Sequence, residues 1–350
     1  MRRPRITGRD VAVAAGVSHN TVSLVMRDSP LVKPETKEHV RKVIAELGYQ
    51  RNAVAAALAS SKSQTIGYLI PQDTVNAEID VFRNQMLKAV ELCAEAHDYY
   101  VLIDMFVDAQ RARSLVSSGR IDALLVDARI SHEVVEKLAS SHIPIVLIGR
   151  DAGDLAISWV KADEEGGAYQ ATTHLIQGGH QRIAFITAGE ADHQIVRQRE
   201  QGYRRALTQA GLPIIPEYIV RGDWTFESSY ELSSQLLRQN PRPTAFFVVT
   251  ELMAAASLQA AAAMKLRVPR DIAVVTIGDS MWVRYVQPQL TAVHVPMMEV
   301  ATQATELLFQ HIEESISEPQ QITVPTALIV RASSKTRKSR GAGMRTGQNG

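Results

Sequence analysis

Small apolar residues recur at helical spacing three times within the first 50 positions. The run Asp10–Ala15 reads as a first helix, with Thr7 as N-cap, Asp10 three residues on, and Gly16 supplying the positive φ of a tight turn. Ser18 caps a second helix, His19 to about Arg27, with Val17, Val22 and Val25 on its inner face. Pro34 at the first helical position opens a third helix, which carries the stripe Val40, Val43, Ile44 and Leu47 and stops at Gly48. Asn52–Leu58 is helix-forming but shorter than the roughly 12–15 residues an isolated helix needs in water, and the Ser-rich stretch after it reads as a linker. From Ile66 the pattern changes. Short apolar strands at 66–70, 99–105, 122–126 and 144–148 alternate with amphipathic helices. After a break near 150–162 the rhythm returns with strands at 182–187, 217–221, 244–249 and 272–277, and strands near 291–295 and 322–330 finish the body. Such alternation predicts parallel sheets with crossover helices, and two successive runs predict two α/β lobes with a cleft between them. The expected organisation is an all-α head at 1–50, a hinge helix and linker at 51–63, an α/β body at 64–332, and a tail at 333–350 too polar to fold.

Charge sharpens this division. The chain has 350 residues and a net charge of only +1. Residues 1–64 hold 11 Lys/Arg against 5 Asp/Glu, residues 331–350 hold 6 against none, and the acidic excess lies between them. A basic head on an acidic body suggests a head that meets a polyanion. The single cysteine, Cys93, excludes an internal disulfide framework and a four-thiolate metal site. No uncharged apolar run reaches the roughly 18 residues of a membrane span, and the basic start is not followed by the apolar stretch of a signal peptide, so a cytoplasmic location is expected.

The chain lacks G-x-S-x-G, a Walker loop, H-E-x-x-H and a strand-linked G-x-G-x-x-G. Its ten histidines are scattered, and none is read as forming a metal-spaced pair with a second ligand. No catalysis, cofactor or metal is expected.

The stretch ITGRDVAVAAGVSHNTVSLVMRD, followed by KPETKEHVRKVIAELGYQRNAVAAAL, resembles the head of the lactose-repressor (LacI) family of bacterial transcription regulators. Body segments SQTIGYLIP, HLIQGGHQRIAFI, QGYRRAL and DIAVV…PQLTAV fall in that family's order and spacing, so the resemblance covers about 1–332. It implies a helix-turn-helix head, a hinge helix and a two-lobed body like the periplasmic sugar-binding proteins. A helix with exposed polar N-terminal residues enters the major groove while the preceding helix crosses the backbone. The resemblance places His19, Asn20 and Leu24 at base-reading positions. Asn20 suits adenine, whereas Leu24 stands where many relatives have Arg and offers only apolar contact, for instance to a thymine methyl. Thr21, Ser23, Arg27 and Asn52 are candidate phosphate contacts, joined by Thr7 and Ser18 at helix starts, with Arg5, Arg9 and Lys33 adding general attraction. In relatives a leucine at the position of Leu58 wedges into the minor groove, and small residues such as Ala55 permit close approach. Arg51 replaces a usual proline, and Ala56 a frequent basic or polar residue.

The same resemblance places an effector between the lobes. Arg199 matches a pocket arginine, Trp224 a stacking aromatic, Asp163 a cleft acid, and Asp279 one member of an acidic pair. Several positions depart. Thr250-Glu251 replaces Asn-Asp, Gly278 replaces the first acid of the pair, Gly149 replaces an aspartate of some relatives, and Met297 an aromatic. The segment Asp80-Val81-Phe82-Arg83 replaces Asn-Pro-Phe-Phe, leaving Phe82 as the first-lobe candidate. Acceptors for neutral sugar hydroxyls are thus lost, and the expected effector is larger, more apolar or anionic. A homodimer reading a pseudopalindromic double-stranded operator is expected, because the tail lacks the leucine heptad of tetrameric relatives. Whether the effector releases or recruits DNA stays open, as does a protein that binds DNA without any ligand; repression rests on the family's habit alone.

Overall fold

The structure is a computed structural model that describes residues 6–26, 28–49, 62–71, 81–106, 108–189 and 193–335. These fall into two compact units that divide between Thr65 and Ile66, with the short segment Gly119–Asp122 belonging to the first. The Asp122 carboxylate explains that assignment, since it accepts the backbone N–H groups of Ser63 (2.7 Å) and Gln64 (2.9 Å).

The head holds three helices: α1 (Gly8–Ala15), α2 (His19–Met26) and α3 (Pro34–Leu47). Their ends follow the local chemistry of the sequence. Thr7 and Asp10 form a complete capping box, Gly16 (φ 65°) and Gly48 (φ 59°) end α1 and α3 in the left-handed region, and Pro34 opens α3. Val11, Ala12, Ala15, Val22, Val25, Val40 and Val43 close a small core, flanked by Val17, Met26, Ile44, Leu47 and Tyr49.

The body carries two six-stranded sheets. The first contains β1 (Thr65–Pro71), β2 (Tyr100–Phe106), β3 (Ala123–Asp127), β4 (Ile145–Ile148), β5 (Ser158–Ala162) and β11 (Gln321–Val324), in the order β2-β1-β3-β4-β5-β11. The second contains β6 (Ile183–Ala188), β7 (Ile219–Gly222), β8 (Ala245–Val248), β9 (Ala273–Ile277), β10 (Thr291–His294) and β12 (Ala327–Ile329), in the order β7-β6-β8-β9-β10-β12. Helices α4 (Val81–Ala96), α5 (Ala109–Ser117), α6 (His132–Ala139) and α12 (Met297–Ile312) belong to the first lobe. Helices α7 (Glu164–Gln177), α8 (Gln194–Gln209), α9 (Phe226–Arg238), α10 (Glu251–Ala263) and the short α11 (Trp282–Tyr285) belong to the second. Every residue of β3, β6, β8 and β9 is buried, as parallel strands covered by helices on both faces require.

Two elements differ from the sequence expectation. The break near 150–162 contains β5, whose Ser158-Trp159-Val160-Lys161-Ala162 is too short and mixed to read as a strand alone; pairing with β4 and β11 makes it one. The run at 322–330 is two strands, split at Pro325-Thr326. Its first half joins β5 in parallel and its second half joins β10 antiparallel, so the chain passes between sheets here. It also passes from β5 into α7 and from β10 into α12. In both sheets the strand order reverses beside the first strand, at β1/β3 and at β6/β8, and ligands of doubly wound sheets bind outside the carboxyl ends of strands at such points.

Candidate DNA interface and effector cleft

In the head, α2 presents its N-terminal turn to solvent. The Ser18 Oγ accepts the Thr21 N–H (3.0 Å) and lies 2.8 Å from the Thr21 hydroxyl, which satisfies an otherwise open end. Ser18, His19 and Asn20 are exposed, Thr21, Ser23 and Leu24 are half-buried, and Val22 and Val25 face the core. Polar and core residues thus alternate as a groove-reading helix needs, and Leu24 belongs to neither face fully. The His19 ring lies beside Gly8, where a Cβ would come within 3.0 Å of Nε2 and 3.1 Å of the Tyr49 hydroxyl. Thr7 is engaged in its capping box: the backbone N–H and the hydroxyl both donate to Asp10 Oδ2 at 2.7 Å, which holds the Asp10 carboxyl below its usual range. Opposite, Lys37 (2.9 Å) and Arg41 (2.6 Å) converge on Asp28, at the turn after α2, and lower its pKa. Arg5, Arg27, Arg51, Asn52, Ala55, Ala56 and Leu58 lie outside the described residues, and so does Asp80.

In the body, the effector candidates fall near strand ends, and most of them serve the fold as well. Asp163 is the N-cap of α7, where its Oδ1 accepts the Gly166 N–H at 2.8 Å. Arg199, on α8, is buried: Nε donates to Glu164 Oε2 (2.8 Å) and Nη1 to the Val249 carbonyl (2.9 Å), tying α8 to α7 and to the end of β8. Thr250 is the N-cap of α10. Glu251 turns toward the loop after β9, where its Oε1 accepts the Ser280 N–H (2.5 Å) and its Oε2 the Ser280 hydroxyl. Burial pushes the Glu251 carboxyl above its usual range, and those two donors oppose the shift.

Gly278 (φ 104°) makes that reach possible, since a Cβ there would lie 2.8 Å from Glu251 Cγ. The departures at 251 and 278 are therefore one paired change: the longer acid occupies space that a side chain at 278 would need. Asp279 is almost fully buried and held by Arg331, with Arg284 and His294 each 3.9 Å away. Trp224, at φ 70°, lies over Gly189 at the end of β6, where a Cβ would be 2.7 Å from the indole Nε1. Phe82 and Met297, both near helix starts, are half-buried against the core.

The structure adds a second group that sequence reasoning missed. Asp127 ends β3 and is 1% exposed; Arg129 donates to its Oδ1 from both backbone N–H (3.0 Å) and Nε (3.2 Å), while Oδ2 has no partner among the described residues. Burial above all, and then the charge of the adjacent Asp127 carboxylate, hold the phenol of Tyr68 on β1 well above its usual range; the hydroxyl donates to Met86 Sδ (3.8 Å) and lies against the Asp127 carboxyl. Arg150, two residues past β4, is buried. The loop carrying it reaches the second lobe: the Asp151 N–H donates to Gln194 Oε1 (3.0 Å) and Gln194 Nε2 donates to Asp151 Oδ1 (2.5 Å). Beside Gln194, His193 is the N-cap of α8, and its Nδ1 is buried without a partner among the described residues. Burial and the nearby Arg199, Arg129 and Arg150 hold that imidazole below its usual range, against the pull of Asp127. These residues stand at strand ends beside the reversal points. The sequence marks each strand end but not the strand order that brings the ends together.

The scattered-histidine reading needs one correction. Cys93 and His97 lie one turn apart on α4 and meet Glu306 of α12. The thiol donates to Oε1 (3.0 Å), His97 Nε2 lies 3.1 Å from Oε2, and the imidazole stacks on Phe309 at 3.9 Å. Burial and Glu306 push the thiol up to about 12, so it keeps its proton and the trio is satisfied as a hydrogen-bonded link between helices. His174 (2.8 Å to Ser334 Oγ) and His180 (3.0 Å to Thr244 Oγ1) likewise serve as ties.

Residues 7–52 match the model described as bacterial regulatory proteins, lacI family, and residues 172–334 match that of a periplasmic binding protein-like domain. Catabolite control protein A of Priestia megaterium is 32% identical over 336 residues, covering 94% of this chain and 99% of that protein. The HTH-type transcriptional repressor PurR of Erwinia tasmaniensis is 35% identical, covering 93% and 96%. Among solved structures, the lac repressor dimer bound to operator and the anti-inducer ONPF superposes with a TM-score of 0.82 at 25% identity, covering 95% of this chain and 100% of that one. A complex of the transcriptional regulator CelR with cellobiose gives 0.72 at 30%, covering 94% and 100%.

Proposed function

The chain belongs to the lacI family of bacterial regulatory proteins and is a DNA-binding transcriptional regulator, and from that premise we propose that it is a repressor that reads a pseudopalindromic operator as a homodimer under the control of a small molecule held between its lobes. The observation that carries the DNA half is the N-terminal turn of α2, with Ser18, His19 and Asn20 exposed above a closed apolar core. In this reading His19, Asn20 and Leu24 touch base edges. Thr7, Ser18, Thr21, Ser23, Arg27 and Asn52 hold phosphates, and Leu58 and Ala55 sit at the minor groove. The capping bonds of Thr7 and Ser18 occupy the Asp10 and Thr21 N–H groups and hold the first turns of α1 and α2, whose other N–H groups are left to meet phosphate oxygens.

Control follows from the cleft. A ligand that binds one lobe arrangement better than another shifts the balance between them, and the Asp151–Gln194 pair is a contact that a change in lobe spacing must break or keep. Arg199, Asp163, Trp224, Thr250, Glu251, Asp279, Phe82 and Met297 are assigned to this site or its immediate support. Exposed apolar residues supply the dimer surfaces: Met281, Trp282 and Tyr285 on the second lobe, and Leu92, Tyr100, Ile103 and Met105 on the first. No described helix is long and apolar enough to cross a membrane, and we place the protein in the cytoplasm, where its DNA is. The relatives are transcriptional regulators, and no catalysis is assigned.

The test is fluorescence anisotropy on a selected operator and on scrambled DNA. Asn20→Ala should weaken operator binding about tenfold or more and leave scrambled DNA nearly unaffected, because a bidentate base contact contributes roughly 1–3 kcal/mol of discrimination. Equal losses on both DNAs would remove Asn20 from base reading.

A further inference from the structure

The charges around the cleft do not balance within the protein. Arg199 is matched by Glu164 (2.8 Å), Arg129 by Asp127 (3.2 Å), and Asp151 by Lys161 (2.6 Å). Arg150 has no such match. Its guanidinium donates to two backbone carbonyls, Ile130 (2.6 Å) and Asp151 (3.2 Å), and no carboxylate of a described residue lies within ion-pair distance, although the residue is only 8% exposed. A buried cation held by neutral carbonyls alone carries an uncompensated desolvation cost. Burial and the nearby Arg197 both disfavour its charge, and the adjacent Asp151 offsets this only in part. A guanidinium does not relieve that cost by losing its proton, so an anion is the remaining remedy. The opposite deficiency lies on the same side of the first sheet, in Asp127 Oδ2 at the end of β3, a buried acceptor with no hydrogen-bond partner among the described residues, although the Tyr68 hydroxyl lies beside that carboxyl. His193 Nδ1 is a third position without a partner among the described residues, and the charges of both groups act on its ring.

Deepening the sensor reading above, on which this rests, we infer that the ligand of the cleft is a hydroxylated acid, a carboxylate or phosphate on a small hydroxyl-bearing frame, with its anionic group at Arg150 and a hydroxyl donating to Asp127. A neutral sugar satisfies Asp127 and leaves Arg150 bare. An inorganic anion with no proton to donate, such as sulfate, does the reverse and meets the Asp127 charge as repulsion. Only a molecule with both groups completes the site. The carboxylate and phosphate versions share this chemistry, and the probes separate them.

The test is calorimetric titration of the full-length dimer at fixed ionic strength with glucose, sulfate, glucuronate and glucose 6-phosphate. At least one of the two hydroxylated acids should bind about tenfold or more tightly than either glucose or sulfate, since charge-assisted hydrogen bonds are roughly twice as strong as neutral ones. Arg150→Gln should remove that advantage and Arg150→Lys restore part of it, with thermal melts confirming that both variants fold. Asp127→Asn should weaken the hydroxylated acid and leave sulfate unchanged or stronger. Glucose binding as tightly as the acids, acid binding indifferent to Arg150→Gln, or no binding of either acid each overturns the inference. Selection of specific DNA by the same preparation keeps this failure apart from that of the regulator reading. Intact selection with no acid binding sinks only the ligand class, whereas acid binding without selection counts against the regulator.

Discussion

Arg199 offers the sharpest quantitative check on the body, because the structure gives it a partner that cannot be left alone. Arg199 and Glu164 retain only 10% and 7% of their side-chain exposure, and Nε lies 2.8 Å from Oε2. Arg199→Met keeps most of the side-chain volume but strands a carboxylate in a nearly dry site. Removing one member of a buried ion pair costs about 3–5 kcal/mol. Glu164 stands in the first turn of α7, whose dipole favours a negative charge, so the lower part of that range is expected. For a domain of this size each kcal/mol moves the melting temperature by roughly 2–4 °C, which gives a fall of about 6–14 °C. Thermal and urea unfolding of the full chain measure it. Arg199→Met/Glu164→Gln should recover a substantial share of the loss, giving a clear coupling in the double-mutant cycle. A single-variant cost below about 1 kcal/mol, or strictly additive effects, would refute the argument that this arginine braces α8 against α7.

Three further outcomes follow from the same geometry. Ser18→Ala removes the acceptor of the Thr21 N–H and should cost the head about 0.5–2 kcal/mol with a parallel loss of operator affinity, read by melting and anisotropy. Gly202→Ala drives a Cβ to 2.2 Å from the Glu165 carbonyl and 2.8 Å from the Tyr169 nitrogen, both backbone atoms of α7; it should force α7 and α8 apart and destabilise by about 1–3 kcal/mol or more, whereas a neutral melt would contradict that close approach. Burial lowers the pKa of His174, His180, His193 and His311. The unfolded chain therefore binds more protons as pH falls through the usual imidazole range, so stability is fully present above it and should decline from about pH 7.5 to about 5.5. His180→Gln should flatten that slope, and a melt that rises on acidification would reverse the assignment.

The head was legible almost residue by residue because its signals are local. Thr7, Gly16, Ser18, Pro34 and Gly48 each act within one turn of their own position, and each stands where its chemistry requires. The alternating strands were legible too, since a strand buried on both faces is a continuous apolar run. What failed was non-local. Ser158–Ala162 becomes a strand only because β4 and β11 flank it, and 322–330 becomes two strands because the chain changes sheets at Pro325-Thr326. The cleft was half legible for the same reason. Arg199 and Trp224 are candidates that the family motif supplies from sequence. Asp127, Arg150 and His193 carry no such mark, because what brings them to neighbouring strand and helix ends is strand order. The departures at Glu251 and Gly278 look independent in sequence and prove to be one steric exchange.

The central claim is that this chain recognises a specific operator, and selection from fragmented host DNA tests it most directly. The purified protein is incubated with the fragments and washed at near-physiological salt, because phosphate contacts alone retain any DNA at low ionic strength. The account predicts a few enriched pseudopalindromes, with half-sites related by the dimer axis and one fixed central base step for the hinge residues around Leu58. Diffuse recovery with no shared motif, both with and without a hydroxylated acid in the wash, would contradict it.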